Sequence, residues 1–140
     1  MKITSLTPNF EVSDIRKTVQ FYQDILDFKL VMAVSATQDE IETSLLENKA
    51  YKFAIMQRDE VTFMFEVKDT YLGGMDSFKT KTIGASVSFY MQIDGIDDFY
   101  ELIKSKKLKP SELKTMWYGM REFYIQDING YVLGFAEKIE

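Results

Sequence analysis

The order of hydrophobic patterns along this 140-residue chain occurs twice, and this repetition constrains the fold more than any other feature. Each half begins with an alternating strand, continues into an amphipathic helix and ends with three further strands. The helices are predicted over 15–26 and 96–106. The sequence therefore predicts one α+β domain over 1–140, with repeat halves at about 1–68 and 84–140 and a linker at 69–83.

Each half is expected to be a βαβββ unit. Strands are predicted at 6–12, 28–35, 51–57, 61–67, 86–93, 113–118, 122–126 and 131–136, and a loop with a short helical turn is predicted at 38–49. Pro8 cannot donate a ladder hydrogen bond, so the first strand is expected at a sheet edge or a bulge. We align 61–66 with 132–137, so that each half ends on an acidic residue.

The absence of histidine and cysteine excludes several kinds of active site. Without imidazole there is no Ser-His-Asp triad and no general base that titrates near neutral pH. Without thiols there are no disulfides, thiolate metal sites or cysteine nucleophiles. Any metal would need oxygen ligands alone, which suit calcium or magnesium better than zinc or iron.

The charge pattern does not favour nucleic acid as a partner. The net charge is −5, and the basic run consists of Lys104, Lys106, Lys107 and Lys109, which is typical of a solvated helix end rather than of a broad phosphate-binding face. No apolar run of 18 or more residues is present, so no transmembrane helix is predicted. The start of the chain lacks the apolar stretch of a signal peptide, and a cytoplasmic location is expected.

Two motifs frame the repeat. The opening runs from Pro8 to Asp14 and continues through Phe21-Tyr22 and Leu26–Phe28, and the closing motif is Trp117–Phe123 followed by the turn 127–130. In this order they resemble the vicinal oxygen chelate superfamily, and within it the glyoxalase/bleomycin-resistance branch. The resemblance implies a mixed, eight-stranded sheet curved around a cavity, helices on the outer face and a homodimer. Ile128 and Tyr131 replace the usual proline and asparagine of the closing turn.

The resemblance also indicates where the metalloenzymes of this superfamily hold their metal. Carried over by register, the four ligand positions fall on Thr7, Phe63, Ser88 and Gly134. None is histidine, aspartate or glutamate, and phenylalanine and glycine side chains offer no donor atom. We therefore expect neither a metal nor another cofactor.

Strand alternation and the resemblance together predict a ligand site without metal, with aromatic walls and a few polar groups. Its candidate residues are Asn9, Glu11, Phe63, Phe65, Tyr90, Gln92, Trp117 and Arg121. Structural alternatives stay open for several of them. Phe63 and Phe65 can fill the space of the lost metal site, Trp117 can belong to a core or dimer interface, Arg121 can form a structural ion pair, and Glu11 can face solvent.

Three functions are compatible with these sequence features. The first is a small-molecule binding protein, of the bleomycin-resistance type, that sequesters a flat and partly cationic compound and so gives antibiotic resistance. The second is a metal-independent enzyme of the lyase or isomerase type, in which Tyr90, Glu11 or Glu66 acts as acid or base after burial has moved its pKa. The third is a structural or regulatory dimer with a vestigial cavity.

Overall fold

The structure is a computed structural model that describes residues 1–37, 39–74, 76, 82–84 and 87–139. Its chain contacts divide it into two compact units, Met1–Ile83 and Gly84–Glu140. Each unit contains one mixed sheet, parallel at one pair of strands and antiparallel elsewhere, and one α-helix that packs on it. The predicted α+β class is confirmed. Gln38, Ala85, Ser86, Glu140 and the linker residues 75 and 77–81 lie outside the described residues.

The first unit contains five strands and one α-helix. Its elements are β1 (Asn9–Val12), α1 (Ile15–Leu26), β2 (Lys29–Ser35), β3 (Ile41–Glu42), β4 (Tyr51–Arg58), β5 (Val61–Val67) and a 3-10 helix (Lys68–Gly74). The sheet order is β1-β5-β4-β2-β3. Strand β1 therefore lies at the edge, as Pro8 predicts, and the Pro8 carbonyl accepts a hydrogen bond from the Met64 amide at 2.9 Å.

The second unit repeats this order with four strands. Its elements are β6 (Ser88–Gln92), α2 (Ile96–Ser105), β7 (Lys114–Thr115), β8 (Met120–Gln126) and β9 (Val132–Lys138). The sheet order is β6-β9-β8-β7. In both units the strand before the helix pairs in parallel with the last strand, so the repeat predicted from the sequence extends to the strand topology.

Two local predictions were wrong. Segment 38–49 was expected to contain a short helical turn, but in its described part Ile41–Glu42 forms β3 and pairs with Ala33 and Val34. The strand predicted over 113–118 is reduced to Lys114–Thr115, because a tight turn at 116–119 follows it. The described residues therefore contain nine strands rather than eight, and the first half has one more strand than the predicted βαβββ unit.

Aromatic side chains form the core of the first unit. The Tyr22 ring of α1 lies 5.9 Å from the Phe63 ring and 4.8 Å from the Phe65 ring, and Phe10 and Phe28 complete the cluster. These centroid distances fall within the range of favourable aromatic pairs. Helix α1 begins after Asp14, whose carboxylate accepts a hydrogen bond from the Lys17 amide at 2.8 Å.

The second unit has an equivalent aromatic core. Phe99 and Tyr100 of α2 pack on Phe123 of β8, and Phe99 also contacts Phe135 of β9 at 4.9 Å between ring centroids. Alternation then directs the neighbouring side chains of β8 and β9 to the opposite face of the sheet. No described helix has the length and apolar character needed to cross a membrane.

Candidate functional site

The open face of the second sheet, opposite α2, carries Tyr90, Glu122, Tyr124 and Gly134. Strand pairing brings these residues together, because Gly134 of β9 stands between Tyr90 on β6 and Tyr124 on β8. Glu122 lies two residues before Tyr124, on the same face. We call this set, with Tyr118, the tyrosine–glutamate cluster.

Glu122 is the centre of the cluster. Its side chain is almost fully buried, with 6% of its surface exposed. The Tyr90 hydroxyl donates a hydrogen bond to Glu122 Oε2 at 2.5 Å, and the Tyr118 hydroxyl donates to Oε1. The carboxylate therefore fixes the hydroxyl ends of two tyrosines, while 49% of Tyr90 and 46% of Tyr118 remain exposed.

Burial of the hydroxyl groups and the nearby Glu122 carboxylate together raise the pKa of the neighbouring phenols. Burial of the hydroxyl end, followed by the hydrogen bond to Glu122, raises the pKa of Tyr90 above its usual value of 10.0. The hydrogen bond to Glu122 is the main cause that raises the pKa of Tyr118 to about 12. Burial and Glu122 raise the pKa of Tyr124 as well. Near neutral pH these three side chains are hydrogen-bond donors and not bases.

Gly134 makes room for the two tyrosine rings that flank it. A Cβ atom placed on Gly134 would lie 2.6 Å from Cε1 and 3.0 Å from Cδ1 of Tyr124, and 3.3 Å from Cδ2 of Tyr90. Carbon atoms in favourable contact are about 3.5–4.0 Å apart. The Tyr124 ring thus occupies the space that any side chain at position 134 would need.

Trp117 lies beside the cluster, on the turn between β7 and β8. Two backbone hydrogen bonds close the turn: the Met116 amide donates to the Met120 carbonyl, and the Gly119 amide donates to the Met116 carbonyl. Trp117 is 93% exposed and meets the Tyr118 ring edge-on, with 5.4 Å between the ring centroids. The core alternative for Trp117 is therefore wrong within this chain, and its large apolar surface adjoins that of Tyr118.

The other predicted site residues of the second unit have different surroundings. The Arg121 guanidinium pairs with the Asp97 carboxylate of α2 at 2.9 Å and donates to the Thr115 hydroxyl. The structural ion pair expected as an alternative is thus confirmed, on the helix side of the sheet, and a ligand role for Arg121 stays a prediction. Gln92 is exposed at the end of β6.

In the first unit, Asn9 and Glu11 lie on the face opposite α1, as predicted, and Glu11 pairs in register with Glu66. The Tyr71 hydroxyl donates to the Asn9 carbonyl. Burial, then the charges of Glu11 and Glu66, raise the pKa of Tyr71. The solvent-facing alternative for Glu11 is wrong, because its side chain is buried.

The predicted orientation of Phe63 and Phe65 is wrong. Phe65 pairs in register with Phe10, and both Phe63 and Phe65 contact Tyr22 of α1. The two rings therefore lie on the helix side of the sheet and not on its open face. The error comes from the alignment of the two halves. Asn9 pairs with Met64, as Tyr90 pairs with Gly134, so Met64 and not Phe63 is the counterpart of Gly134.

The first unit also carries a groove of about 690 Å³. It lies at the start of α1 and is lined in part by Asp14, Arg16, Lys49 and Tyr51. The Arg16 guanidinium donates to the carbonyls of Leu46 at 2.5 Å and Lys49 at 2.8 Å. Arg16 thus anchors the loop that borders the groove.

The comparison with known proteins decides the family. A family model described as the Glyoxalase/Bleomycin resistance protein/Dioxygenase superfamily matches residues 7–135. The chain belongs to this superfamily. The bleomycin resistance protein of Geobacillus stearothermophilus is 26% identical over 136 residues, which cover 95% of this chain and 96% of that protein.

Solved structures of the superfamily share the fold. A glyoxalase/bleomycin resistance protein/dioxygenase from Nocardioides aligns with a TM-score of 0.73 at 15% identity, over 100% of this chain and 86% of its own. A genomically encoded fosfomycin resistance protein from Listeria monocytogenes aligns with a TM-score of 0.67 at 15% identity, over 98% of this chain and 94% of its own.

The residues at the metal positions of the superfamily do not fit a metal in this chain. With the corrected alignment the four positions are Thr7, Met64, Ser88 and Gly134. Thr7 and Ser88 offer only a hydroxyl, and Met64 offers a thioether. At Gly134 the ring of Tyr124 fills the space that a ligand side chain would need. Within the described residues, no three of the His, Cys, Asp and Glu side chains lie close enough together to hold a metal ion.

Four residues of the cluster are absent from the ligand site predicted by sequence: Tyr118, Glu122, Tyr124 and Gly134, which was predicted only as a metal position. One signal was present, because alternation along β8 places Glu122 and Tyr124 on one face and Phe123 and Ile125 on the other. The contact between Tyr118 and Glu122 had no comparable signal, since it depends on the turn that precedes β8.

Proposed function

We propose that this chain is a small-molecule binding protein that holds a flat organic compound on the open face of the second sheet, without a metal. The observation that carries the proposal is the tyrosine–glutamate cluster, in which a buried carboxylate fixes two half-exposed tyrosine rings beside the exposed Trp117. The bleomycin resistance proteins among the relatives support an antibiotic as the ligand, and sequestration as the mode of action.

The geometry suits stacking. Trp117, Tyr118 and Tyr90 present apolar ring surface to solvent, and hydrogen bonds at the hydroxyl ends restrain the two tyrosines before a ligand arrives. Restraint of this kind lowers the conformational entropy that binding would otherwise remove. An aromatic pair in favourable geometry contributes about 0.5–1.5 kcal/mol beyond the burial of its surface.

Binding has more support than catalysis by Tyr90. In the enzyme alternative Tyr90 acts as acid or base, but its raised pKa leaves no phenolate near neutral pH, and its hydroxyl already donates a hydrogen bond to Glu122. This hydrogen bond fixes the orientation of the Tyr90 ring and leaves the hydroxyl proton unavailable to a substrate. The expected homodimer and cytoplasmic location are part of this proposal.

A fluorescence titration tests the function. Trp117 is the only tryptophan, so the emission of the protein reports on the turn beside the cluster. Bleomycin-type antibiotics, planar dyes and divalent metals are added separately to protein from which metals have been removed by a chelator. Each compound that changes the emission is then measured by calorimetry with the wild type and with Trp117→Ala.

The proposal predicts saturable quenching by at least one planar compound, and a roughly 3- to 10-fold lower affinity in Trp117→Ala, which corresponds to the loss of one stacking partner. Ile41→Ala is the control variant, because Ile41 is exposed and its substitution removes apolar surface from the first unit without changing the site. Phe21→Ala is unsuitable as a control, because Phe21 contacts Tyr22 of the core. A response to divalent metal alone contradicts metal-free binding. The absence of any response favours a structural or regulatory role.

A further inference from the structure

Among the described residues, the charge of Glu122 has no cationic partner. Its two oxygens accept hydrogen bonds from the neutral phenols of Tyr90 and Tyr118, and neither a lysine nor an arginine of the described chain forms an ion pair with it. A buried carboxylate without a counter-charge is unfavourable, and two neutral donors offset only part of that cost.

The nearest cation along the chain does not supply the missing charge. Arg121 precedes Glu122 on β8, but its guanidinium is bound to the Asp97 carboxylate on the helix side of the sheet. Asp97 balances the charge of Arg121. Lys114 is the register partner of Glu122 on β7, but its ammonium group pairs with the Glu112 carboxylate at 3.7 Å and not with Glu122. The charge of Glu122 therefore has no ion-pair partner among the described residues. An unbalanced carboxylate under exposed aromatic rings is complementary to a cation.

The type of cation follows from the hydrogen bonds already present. Each oxygen of Glu122 already accepts a hydrogen bond from a tyrosine hydroxyl. A primary ammonium group would therefore find these acceptors partly occupied, and it would also lose its strong hydration. A cation whose charge is delocalised over a ring or shielded by alkyl groups needs no acceptor and loses less hydration. The faces of Tyr90, Tyr118 and Trp117 attract such a cation through their quadrupoles.

We infer that the ligand of the open face is an organic cation with a delocalised or alkylated charge, and that this charge supplies the counter-ion of Glu122. The inference rests on the proposed function and defines the chemical class of its ligand. Glu122 is then a specificity-determining residue, since the aromatic rings alone would accept neutral planar compounds equally well.

Two probes of nearly the same shape separate charge from stacking. N-methylacridinium carries a permanent delocalised charge, whereas acridine is neutral at mildly alkaline pH. Their affinities are measured by calorimetry with the wild type, with Glu122→Gln and with Glu101→Gln. Glu101 is an exposed residue of α2 that pairs with Lys104, so its substitution changes the net charge equally but on the other side of the sheet.

The inference predicts that the wild type binds N-methylacridinium at least about tenfold more tightly than acridine, a difference of about 1.4 kcal/mol. Glu122→Gln should remove most of this preference by weakening the cation and leaving acridine within about twofold, and Glu101→Gln should keep it. Added salt should weaken only the cation.

Equal affinity of the wild type for both probes would overturn the inference while the proposed function stands. A preference that persists in a folded Glu122→Gln variant would overturn it as well. Failure of both probes to bind, together with failure of the planar panel, would overturn the proposed function itself. If Glu122→Gln does not fold, the comparison of the two probes on the wild type, with its salt dependence, decides the inference alone.

Discussion

Substitution of Gly134 by alanine tests the packing on which the candidate site depends. The backbone of Gly134 does not require glycine, because its φ is not in the left-handed region, so the available space alone determines the result. The new methyl carbon would lie 2.6 Å from Cε1 of Tyr124, about 1 Å inside a favourable carbon–carbon distance. Either the Tyr124 ring must rotate or the strands must separate.

The expected loss of stability combines two opposing effects. Overpacking of this kind costs about 1–3 kcal/mol. Alanine is more favourable than glycine within a strand by roughly 0.5–1 kcal/mol. The net prediction is a decrease of between about 0 and 2.5 kcal/mol in the free energy of unfolding, measured as a lower urea midpoint with an unchanged slope.

A double-mutant cycle identifies the cause. Tyr124→Ala removes the ring that meets the new methyl group, so Gly134→Ala should be far less destabilising in the Tyr124→Ala background than in the wild type. The two effects should therefore not add. A Gly134→Ala substitution whose effect on stability is the same with and without the Tyr124 ring would refute the close packing of Tyr124 on Gly134 described above.

Three further predictions concern the same unit. The pKa of Tyr118 is raised from 10.0 to about 12, so its contribution to stability is complete below pH 10 and is lost as the pH rises through about 12; Tyr118→Phe should flatten the dependence of the urea midpoint on pH in that window. Glu137 accepts hydrogen bonds from the amides of Gly95 and Ile96 at the start of α2, and Glu137→Ala should lower the free energy of unfolding by about 1 kcal/mol in urea titrations. Arg121→Gln breaks a partly exposed ion pair with Asp97 on the helix side of the sheet. Calorimetry should therefore show unchanged ligand affinity, and melting curves should show only a small shift; a large loss of affinity would place Arg121 in the site.

The sequence predicted the order of elements well because each amphipathic helix and each alternating strand carries its own periodic signal. It predicted the alignment of the halves incorrectly because 61–66 and 132–137 both end in Glu after an apolar run. In the structure Val67, not Glu66, is the counterpart of Glu137, since Asn9 pairs with Met64 and Tyr90 with Gly134. A slip of one residue exchanges the two faces of a strand, and this explains why Phe63 and Phe65 were assigned to the site.

The site was predicted in part for a related reason. Alternation predicts which residues share a face, and it placed Tyr90 correctly on the open face of β6. It does not show which side chains meet across strands or turns, and the position of Glu122 beneath Tyr90 and Tyr118 depends on both. Trp117 was selected by resemblance, and its exposure follows from the turn closed by Met116 and Gly119.

A two-dimensional NMR titration of isotopically labelled, metal-depleted protein with N-methylacridinium tests the central claim most directly, because it locates the ligand as well as detecting it. We predict saturable shift changes concentrated at Tyr90, Trp117, Tyr118 and Glu122, without added metal. Changes confined to the groove near Arg16, or changes that require a divalent metal ion, would contradict metal-free binding of an organic cation on the open face.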